Sequence, residues 1–332
     1  MPTAKMKAVI CTQYGSPEVL QLREVEKPVP GDNDVLIKIY AATVTMGDCE
    51  LRSLTLPLWT RIPMRLYMGY RRPRKFIPGM ELSGVIESVG KNVVSFRKGD
   101  PVFGSGGMGM GGNAEYKSQR YPSGLAIKPP GVSFEQAATI PVGGLNALHF
   151  LRKAQIRPGQ KVLVNGAGGS IGTYGVQLAK LYGAEVTAVD SGEKLDMLRS
   201  IGADHVIDYT QEDFFRSGKK YDVIFDTVYK TRFSRCINSL EEEGYYLMAN
   251  PGPRRMLRAL WVSWTTRKKV IFAFAGESVE DLDHVAQLIA SGKLKAVIDR
   301  RYTLDQVREA HEYVGSGMKE GNVIIVVARD DG

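Results

Sequence analysis

Residues 161–172 read Lys-Val-Leu-Val-Asn-Gly-Ala-Gly-Gly-Ser-Ile-Gly, an apolar run that leads into a turn rich in glycine. The apolar run predicts a buried strand and the residues from Thr173 onward predict a helix, the first unit of a parallel sheet wrapped by helices. Glycine lets the backbone approach a pyrophosphate, and a helix N-terminus directs N–H donors and its positive dipole end towards it. We therefore expect this turn to bind a dinucleotide rather than to serve only as a tight connection. The expected contacts are Ala167, Gly168, Gly169, Ser170, Ile171 and Gly172.

An acidic residue ends the next expected strand, because Asp190 lies 18 residues beyond Gly172. A carboxylate at this position accepts hydrogen bonds from the adenosine ribose and repels a 2′-phosphate, so Asp190 favours NAD(H). Ser191 and Lys194 stand beside it and can favour that phosphate instead, which leaves NADP(H) open. The alternative role of Asp190 is to cap the helix that follows.

The pattern of the chain changes after Pro129 and Pro130. Before them, short strands with turn punctuation are expected at residues 7–11, 19–25, 34–42, 84–89 and 101–103, with a helix from about Gly47 and a glycine-rich loop at 104–112. After them, strands at 161–165, 185–190, 205–207 and 223–226 alternate with helices that end at 181 and 201. A helix at 279–291, a strand at 297–299, a helix at 304–314 and a strand at 322–327 complete the chain. A β-rich half is therefore followed by a parallel α/β half, with the boundary near residue 127.

Composition narrows the class of protein further. The chain has 332 residues, 43% of them hydrophobic and 24% charged, which suits two compact domains. Its three cysteines are widely spaced and form neither a disulfide framework nor a metal pair, and no apolar run is long enough to span a bilayer. We therefore expect a cytoplasmic protein. The net charge of +8 is concentrated in residues 61–75 and 254–269, and it favours contact with phosphates, anionic lipid or nucleic acid.

Several blocks of sequence, in order, resemble the zinc-independent, quinone-oxidoreductase-like (zeta-crystallin-like) branch of the medium-chain dehydrogenase/reductase superfamily. The blocks are residues 79–90, 114–116, 141–151, 161–172, 202–209 and 292–299. The resemblance implies an α/β protein with a GroES-like β-barrel catalytic domain and a Rossmann domain with a doubly wound parallel sheet. The catalytic domain would comprise residues 1–126, completed by 272–332, and the Rossmann domain residues 127–271.

The zinc ligands of that superfamily are replaced in this chain. Met80 stands where zinc-dependent members have a histidine, and residues 45–48 lack the usual cysteine ligand. A thioether is a poor zinc ligand beside cysteine, histidine or carboxylate, and the structural lobe of four cysteines is also missing. We therefore expect no metal.

The resemblance also implies the site residues. Residues 45–48 correspond to an Asn-x-x-Asp stretch that lines the nicotinamide end of the cleft in zinc-free relatives. Asp48 keeps the Asp of that stretch and Thr45 stands in place of its Asn, although Asp48 can equally cap the following helix. Asn146 stands where relatives have threonine, on the nicotinamide side. The remaining implied cofactor contacts are Tyr209 at the adenosine end, Met248, Ala249 and Asn250 at a strand end, Phe272 and Phe274 in the segment that crosses the cofactor, and Asn322.

The implied activity is the transfer of hydride from NAD(P)H to a quinone or a conjugated enone or enal without zinc, with a small hydrophobic acceptor and a homodimer built on edge strands. One alternative is a zinc-free alcohol or aldehyde dehydrogenase-reductase. Another is a nucleic-acid-binding or structural role, which some relatives have. The sequence has no aromatic RNA-binding motif, so nucleic acid is not the expected partner.

Residues 254–269 form a basic and aromatic segment that follows the expected nicotinamide strand end. If it is helical, Leu257, Leu260, Trp261 and Trp264 form one apolar stripe. Three interpretations are open. The stripe can pack into the core or a dimer contact, it can wall a site for a hydrophobic acceptor, or the segment can make peripheral contact with an anionic membrane.

Overall fold

The computed structural model describes residues 4–74, 76–228, 231–249, 252–272 and 276–328, with the side chain of Met108 left out. The chain divides into two compact units. The first unit comprises Met1–Val142, Glu277–Ala290 and Ile298–Gly332, and the second comprises Gly143–Gly276 and Ser291–Val297. No helix among the described residues is both long and apolar enough to cross a lipid bilayer.

The described residues form strands and helices throughout both units. The strands are β1 (Lys5–Cys11), β2 (Leu20–Glu26), β3 (Asp34–Val44), β4 (Glu81–Val89), β5 (Pro101–Ser105), β6 (Tyr116–Arg120), β7 (Leu125–Ile127), β8 (Lys161–Asn165), β9 (Glu185–Asp190), β10 (His205–Asp208), β11 (Tyr221–Asp226), β12 (Leu240–Met248), β13 (Lys269–Phe272), β14 (Ile298–Thr303) and β15 (Asn322–Val326). The helices are α1 (Met46–Ser53), α2 (Leu58–Met68), α3 (Phe134–Ala138), α4 (Leu145–Ala154), α5 (Ser170–Leu181), α6 (Leu195–Ser200), α7 (Phe233–Asn238), α8 (Pro253–Thr265), α9 (Val279–Ala290) and α10 (Val307–Gly315).

The second unit contains a six-stranded sheet in the order β10-β9-β8-β11-β12-β13, and every pair in it is parallel. Val162, Leu163 and Val164 on its central strand β8 are completely buried, as expected for a strand covered on both faces. Strand order reverses between β8 and β11. The turn after β8 therefore lies at the switch point, where doubly wound sheets bind their ligands.

The first unit contains a seven-stranded, mostly antiparallel sheet. Its path is β14-β15-β3-β4-β5-β7, β6 also pairs with β3, and β1 and β2 form a separate antiparallel pair. Alternate residues of β3, including Val35, Ile37 and Ile39, join Leu82 and Ile86 of β4 in one apolar core. The expected combination of a β-rich part and a doubly wound α/β part is confirmed.

The boundary between the units differs from the sequence expectation of residue 127. Helix α3 belongs to the first unit, which ends at Val142. The Ser83 hydroxyl donates to the Phe134 carbonyl over 2.6 Å, and the Phe134 ring stacks on Tyr40 with centroids 4.6 Å apart. These contacts with strands β3 and β4 hold the helix against the β-rich sheet, although it follows the two prolines in sequence.

One expected strand has other bounds in the structure, and one of the open interpretations of α8 is excluded. Strand β14 is Ile298–Thr303 rather than residues 297–299, because this edge strand pairs with β15 along its length while exposing Arg300 and Arg301. The stripe on helix α8 does not pack into the core. Its four members are exposed, and the buried face of α8 is made instead by Ala259 and Val262.

Candidate functional site

Three glycines shape the turn between β8 and α5 because side chains would collide there. Gly166 has φ of 75°, a conformation that favours glycine, and a Cβ on it would lie 2.5 Å from the Thr227 hydroxyl. A Cβ on Gly168 would lie 2.5 Å from Cδ of Lys194. A Cβ on Gly172 would lie 2.6 Å from the Ala167 Cα, so this glycine permits the close packing of α5 on the turn.

Gly169 is different, because a Cβ on it would meet only the Gly166 carbonyl oxygen, at 3.5 Å. The protein's own packing therefore does not require glycine here, and the backbone faces open space. Gly169 is also the N-cap of the twelve-residue helix α5 and has no side chain with which to cap the first turn. An open backbone at a helix N-terminus fits the pyrophosphate of a dinucleotide.

Asp190 lies next to this turn and is almost fully buried. Its Oδ2 accepts a hydrogen bond from the Gly168 N–H over 2.7 Å, and its Oδ1 accepts one from the Ser191 N–H over 2.9 Å. Lys194 Nζ lies 3.1 Å from Oδ1, and both side chains are less than a tenth exposed. Asp190 thus orients the glycine turn and neutralises the buried ammonium of Lys194.

The other expected cofactor residues of this unit lie at the carboxyl ends of its strands or on its helices. Met248 ends β12, opposite Phe272 at the end of β13, and Ala249 donates its N–H to the Asp226 carbonyl over 3.1 Å. Tyr209 is exposed and donates its N–H to the Asp190 carbonyl. Asn146 lies in the first turn of α4. Asn250 and Phe274 lie outside the described residues.

A buried polar network supports the same sheet edge and was not identified from the sequence. Asp226 is 3% exposed, and its oxygens accept hydrogen bonds from Asn165 Nδ2 (2.9 Å), Thr231 Oγ1 (2.9 Å) and the Tyr246 hydroxyl (2.7 Å). Burial raises the pKa of the Asp226 carboxyl. The network ties the ends of β8, β11 and β12 together directly beneath the turn. The polar residues that end the apolar strands β8 and β11 were the available signal.

In the first unit, Thr45 and Asp48 form a capping box at the start of α1. Asp48 N donates to Thr45 Oγ1 (3.2 Å), and Asp48 Oδ2 accepts from the backbone N–H and the hydroxyl of Thr45 (2.9 and 2.6 Å). Asp48 Oδ1 also accepts from the Gly79 N–H over 3.1 Å. Asp48 is fully buried, and burial raises the pKa of its carboxyl. The capping role considered for Asp48 is therefore present, and the Thr45 hydroxyl is engaged by it.

A second buried carboxyl, Glu81, lies beside this capping box in the sequence block that begins at Gly79. It accepts a hydrogen bond from the Thr43 hydroxyl and another from the Val142 N–H over 2.6 Å. Burial raises the pKa of Glu81 from 4.5 to about 7, opposed by these hydrogen bonds. Glu81 can therefore hold or release a proton near neutral pH, a property that the sequence analysis did not assign to it.

Among the described residues, no set of metal-binding side chains is found around Met80. Met80 Sδ lies 3.8 Å from Thr45 Oγ1. Within the part of the chain that the structure describes, no group of three or more His, Cys, Asp and Glu side chains is placed to hold a metal ion. Asn322, the remaining expected contact, is buried at the start of β15.

One histidine is buried against helix α1. His311 on α10 is fully buried, and its Nδ1 lies 3.4 Å from the Cys49 sulfur on α1. Burial lowers the pKa of His311 from 6.5 to about 3, so the imidazole is neutral. It packs two helices of the first unit together.

The sequence and fold match known families over most of the chain. Residues 31–145 match the model of the alcohol dehydrogenase GroES-like domain, and residues 201–325 match a model described as zinc-binding dehydrogenase. The chloroplastic quinone-oxidoreductase QR1 of Triphysaria versicolor is 31% identical over 96% of this chain and 98% of that protein. The chloroplastic NADPH-dependent alkenal/one oxidoreductase of Arabidopsis thaliana is 30% identical over 97% of this chain and 79% of that protein.

Solved structures give the same result. The quinone oxidoreductase from Coxiella burnetii superposes with a TM-score of 0.88 at 26% identity, covering 98% of this chain and 100% of that one. The implied GroES-like and Rossmann-like architecture is thus confirmed. The chain belongs to the medium-chain dehydrogenase/reductase superfamily, in the group of the quinone oxidoreductases.

Proposed function

We propose that the protein is an NAD(P)H-dependent oxidoreductase that reduces quinones or conjugated enones and enals. The observation that carries the proposal is the open backbone at Gly169 on the N-terminus of α5, within a family whose members include quinone and alkenal/one oxidoreductases. The turn from Gly166 to Gly172 would hold the pyrophosphate. The bound cofactor would supply the hydride, and the protein would orient the cofactor and the acceptor.

The acceptor's conjugation would replace a metal. In a conjugated enone or quinone, the carbon that accepts hydride is already electrophilic, so the reaction needs no Lewis acid at the carbonyl. The presence of Met80, a weak ligand, in place of a histidine supports zinc-free chemistry. The capping box of Thr45 and Asp48 would fix the start of α1, and these two residues would thereby position the acceptor end of the site.

We further propose that Asp190 makes NAD(H) the preferred cofactor. The carboxylate would repel a 2′-phosphate, and it also holds Lys194, the nearest cation that could attract one. The relative named as NADPH-dependent shows that the family also uses the phosphorylated cofactor, so the preference depends on these local charges.

A homodimer and a cytoplasmic location complete the proposal. Strand β13 is the edge of the six-stranded sheet, and pairing with a second copy would satisfy its open backbone groups. Cys11, Cys49 and Cys236 are free and buried, which suits a reducing compartment.

The testing experiment follows oxidation of NADH and of NADPH with quinones, conjugated enones and simple saturated aldehydes as acceptors. We expect turnover with quinones or enones and none with saturated aldehydes. A variant Gly169→Val should lose cofactor affinity while retaining its melting temperature, because the Cβ position is open in the protein itself. Turnover confined to saturated aldehydes or alcohols would contradict the proposal.

A further inference from the structure

All three tryptophans of the chain, Trp59, Trp261 and Trp264, lie on two helices, and all three are exposed. Trp59 on α2 is 41% exposed, and Trp261 and Trp264 on α8 are 64% and 86% exposed. Tryptophan is among the most thoroughly buried residues on average, so exposure of every copy is unexpected for a surface that contacts only water. Tryptophan is enriched where one end of a side chain is in apolar surroundings and the other is in water.

On α8, the exposed tryptophans belong to a continuous apolar face. Leu257 and Leu260 are 69% and 59% exposed and lie on the same helical stripe as the tryptophans. The opposite face, with Ala259 and Val262, packs against the unit. The helix is therefore oriented with its large apolar side chains towards solvent and its small ones towards the protein, the reverse of an ordinary surface helix.

Helix α2, in the other unit, also exposes large apolar side chains. Leu58, Ile62 and Leu66 are 68%, 57% and 66% exposed and lie with Trp59 on one face. Only Met68 of this helix is buried. Contiguous exposed apolar side chains of this kind mark an interaction surface.

Charge is concentrated around the same two helices. Residues 51–80 and 244–276 contain 13 of the 44 basic residues and none of the 36 acidic ones. The remainder of the chain therefore has 31 basic and 36 acidic residues and a net negative charge. The positive charge of the protein is thus localised beside the exposed apolar faces, and the partner that fits both features is apolar and anionic.

We propose that α2 and α8 each bind an anionic lipid membrane, each with the large apolar side chains of its exposed face in the interface and its basic residues against the headgroups. Interfacial helices combine an apolar face that contains Trp and Leu with flanking basic residues. A second copy of the chain fits less well. A contact between two copies of α8 would bring Arg254 and Arg258 of both copies into one interface, and α8 carries no acidic residue to pair with them, so the like charges would be destabilising.

The tryptophans themselves report the test. The full chain is mixed with vesicles of phosphatidylcholine and phosphatidylglycerol, or with vesicles of phosphatidylcholine alone, while tryptophan emission and cosedimentation are followed. We expect a blue shift and cosedimentation with the anionic vesicles, weakened by salt. Lipids brominated near the headgroup should quench the emission. No cofactor or acceptor is present, so failure of this proposal and failure of the proposed function are separate results.

Variants separate the contribution of the apolar faces to vesicle binding from that of the basic residues. Leu257→Gln/Leu260→Gln and Leu58→Gln/Ile62→Gln retain every tryptophan and should weaken vesicle binding on the order of tenfold or more. The matched control Val29→Gln/Val94→Gln changes two residues that are 83% and 86% exposed, and it should bind like the parent protein. Because all these positions are exposed, the melting temperature should not fall.

Arg254→Gln/Arg258→Gln should weaken binding to the anionic vesicles about 25-fold, since each basic residue near such a surface contributes about fivefold. The control Lys91→Gln/Arg97→Gln removes two exposed charges outside the two segments and should change binding little. Absence of a blue shift with anionic vesicles, or unchanged binding by both leucine-containing double variants, would overturn the proposal. So would emission that shifts with protein concentration alone, together with a dimer that Leu257→Gln/Leu260→Gln dissociates, because a second copy would then cover α8.

Discussion

The substitution Asp190→Ser tests how the cofactor turn is held and which cofactor it selects. Asp190 is 7% exposed, and it accepts the Gly168 N–H over 2.7 Å and faces Lys194 Nζ at 3.1 Å. The variant would leave a buried ammonium without its carboxylate, which costs about 3 kcal/mol. For a chain of this size, such a loss lowers the melting temperature by roughly 5 °C.

Asp190→Ser should also alter how the protein responds to NADPH and NADH. A 2′-phosphate would supply an anion for Lys194, and a charge-assisted hydrogen bond of about 1.5 to 3 kcal/mol corresponds to at least a tenfold change in binding. We therefore expect NADPH to raise the melting temperature of the variant more than NADH does. The ratio of kcat/KM for NADPH to that for NADH should rise at least tenfold.

The control is Asp196→Ser, which removes the same charge from an exposed pair. The Asp196 side chain is 97% exposed and lies 2.6 Å from Arg199 Nη1. This variant should match the parent protein in melting temperature and cofactor ratio, because exposed pairs contribute little. Equal behaviour of the two variants would refute the assigned role of Asp190.

Two further predictions concern buried ionisable groups, and a third concerns zinc. The pKa of Glu81 is raised from 4.5 to about 7, so its contribution to stability is present below pH 4.5 and is lost as the pH rises through 7. Between pH 5 and 8, the free energy of unfolding of Glu81→Gln should therefore rise by up to about 3 kcal/mol relative to that of the parent protein. Parallel curves of melting temperature against pH would refute this. The pKa of His311 is lowered from 6.5 to about 3, so its contribution to stability is present above pH 6.5 and is lost as the pH falls towards 3. This loss of stability is about 2 kcal/mol at pH 5, and His311→Gln should remove it. An unchanged dependence of stability on pH in acid would contradict the assignment. A strong chelator should leave activity and melting temperature unchanged, and stoichiometric zinc in the purified protein would contradict the zinc-free proposal.

The α/β half of the fold was predictable because its signals are local. The apolar run of β8, the glycines that follow it and the next strand that ends at Asp190 are all visible in a short stretch of sequence. The ion pair between Asp190 and Lys194 was not predicted, since the sequence shows two charges but not their burial. The contacts of Asp226 with Asn165 and Tyr246 depend on the pairing of β11 with β8 and β12, which no local pattern specifies.

The two helices with exposed apolar faces show a different limit of sequence reasoning. Periodicity predicted the stripe on α8, but a period does not say which side of a helix faces the protein. The small residues Ala259 and Val262 form the packed side, because the helix lies close to its unit there. Helix α2 was not predicted at all, since Pro57 precedes it and Pro63 interrupts it.

We expect hydride to pass from the nicotinamide to the conjugated carbon of an acceptor without a metal. The most direct measurement uses nicotinamide cofactor that carries deuterium at the transferable position, a conjugated enone and enzyme treated with a chelator. We expect a saturated ketone with deuterium on the carbon β to the carbonyl, formed at the same rate as by enzyme that was not treated with the chelator. An allylic alcohol with deuterium on the carbon that bears the hydroxyl, or activity that requires restored zinc, would contradict this expectation.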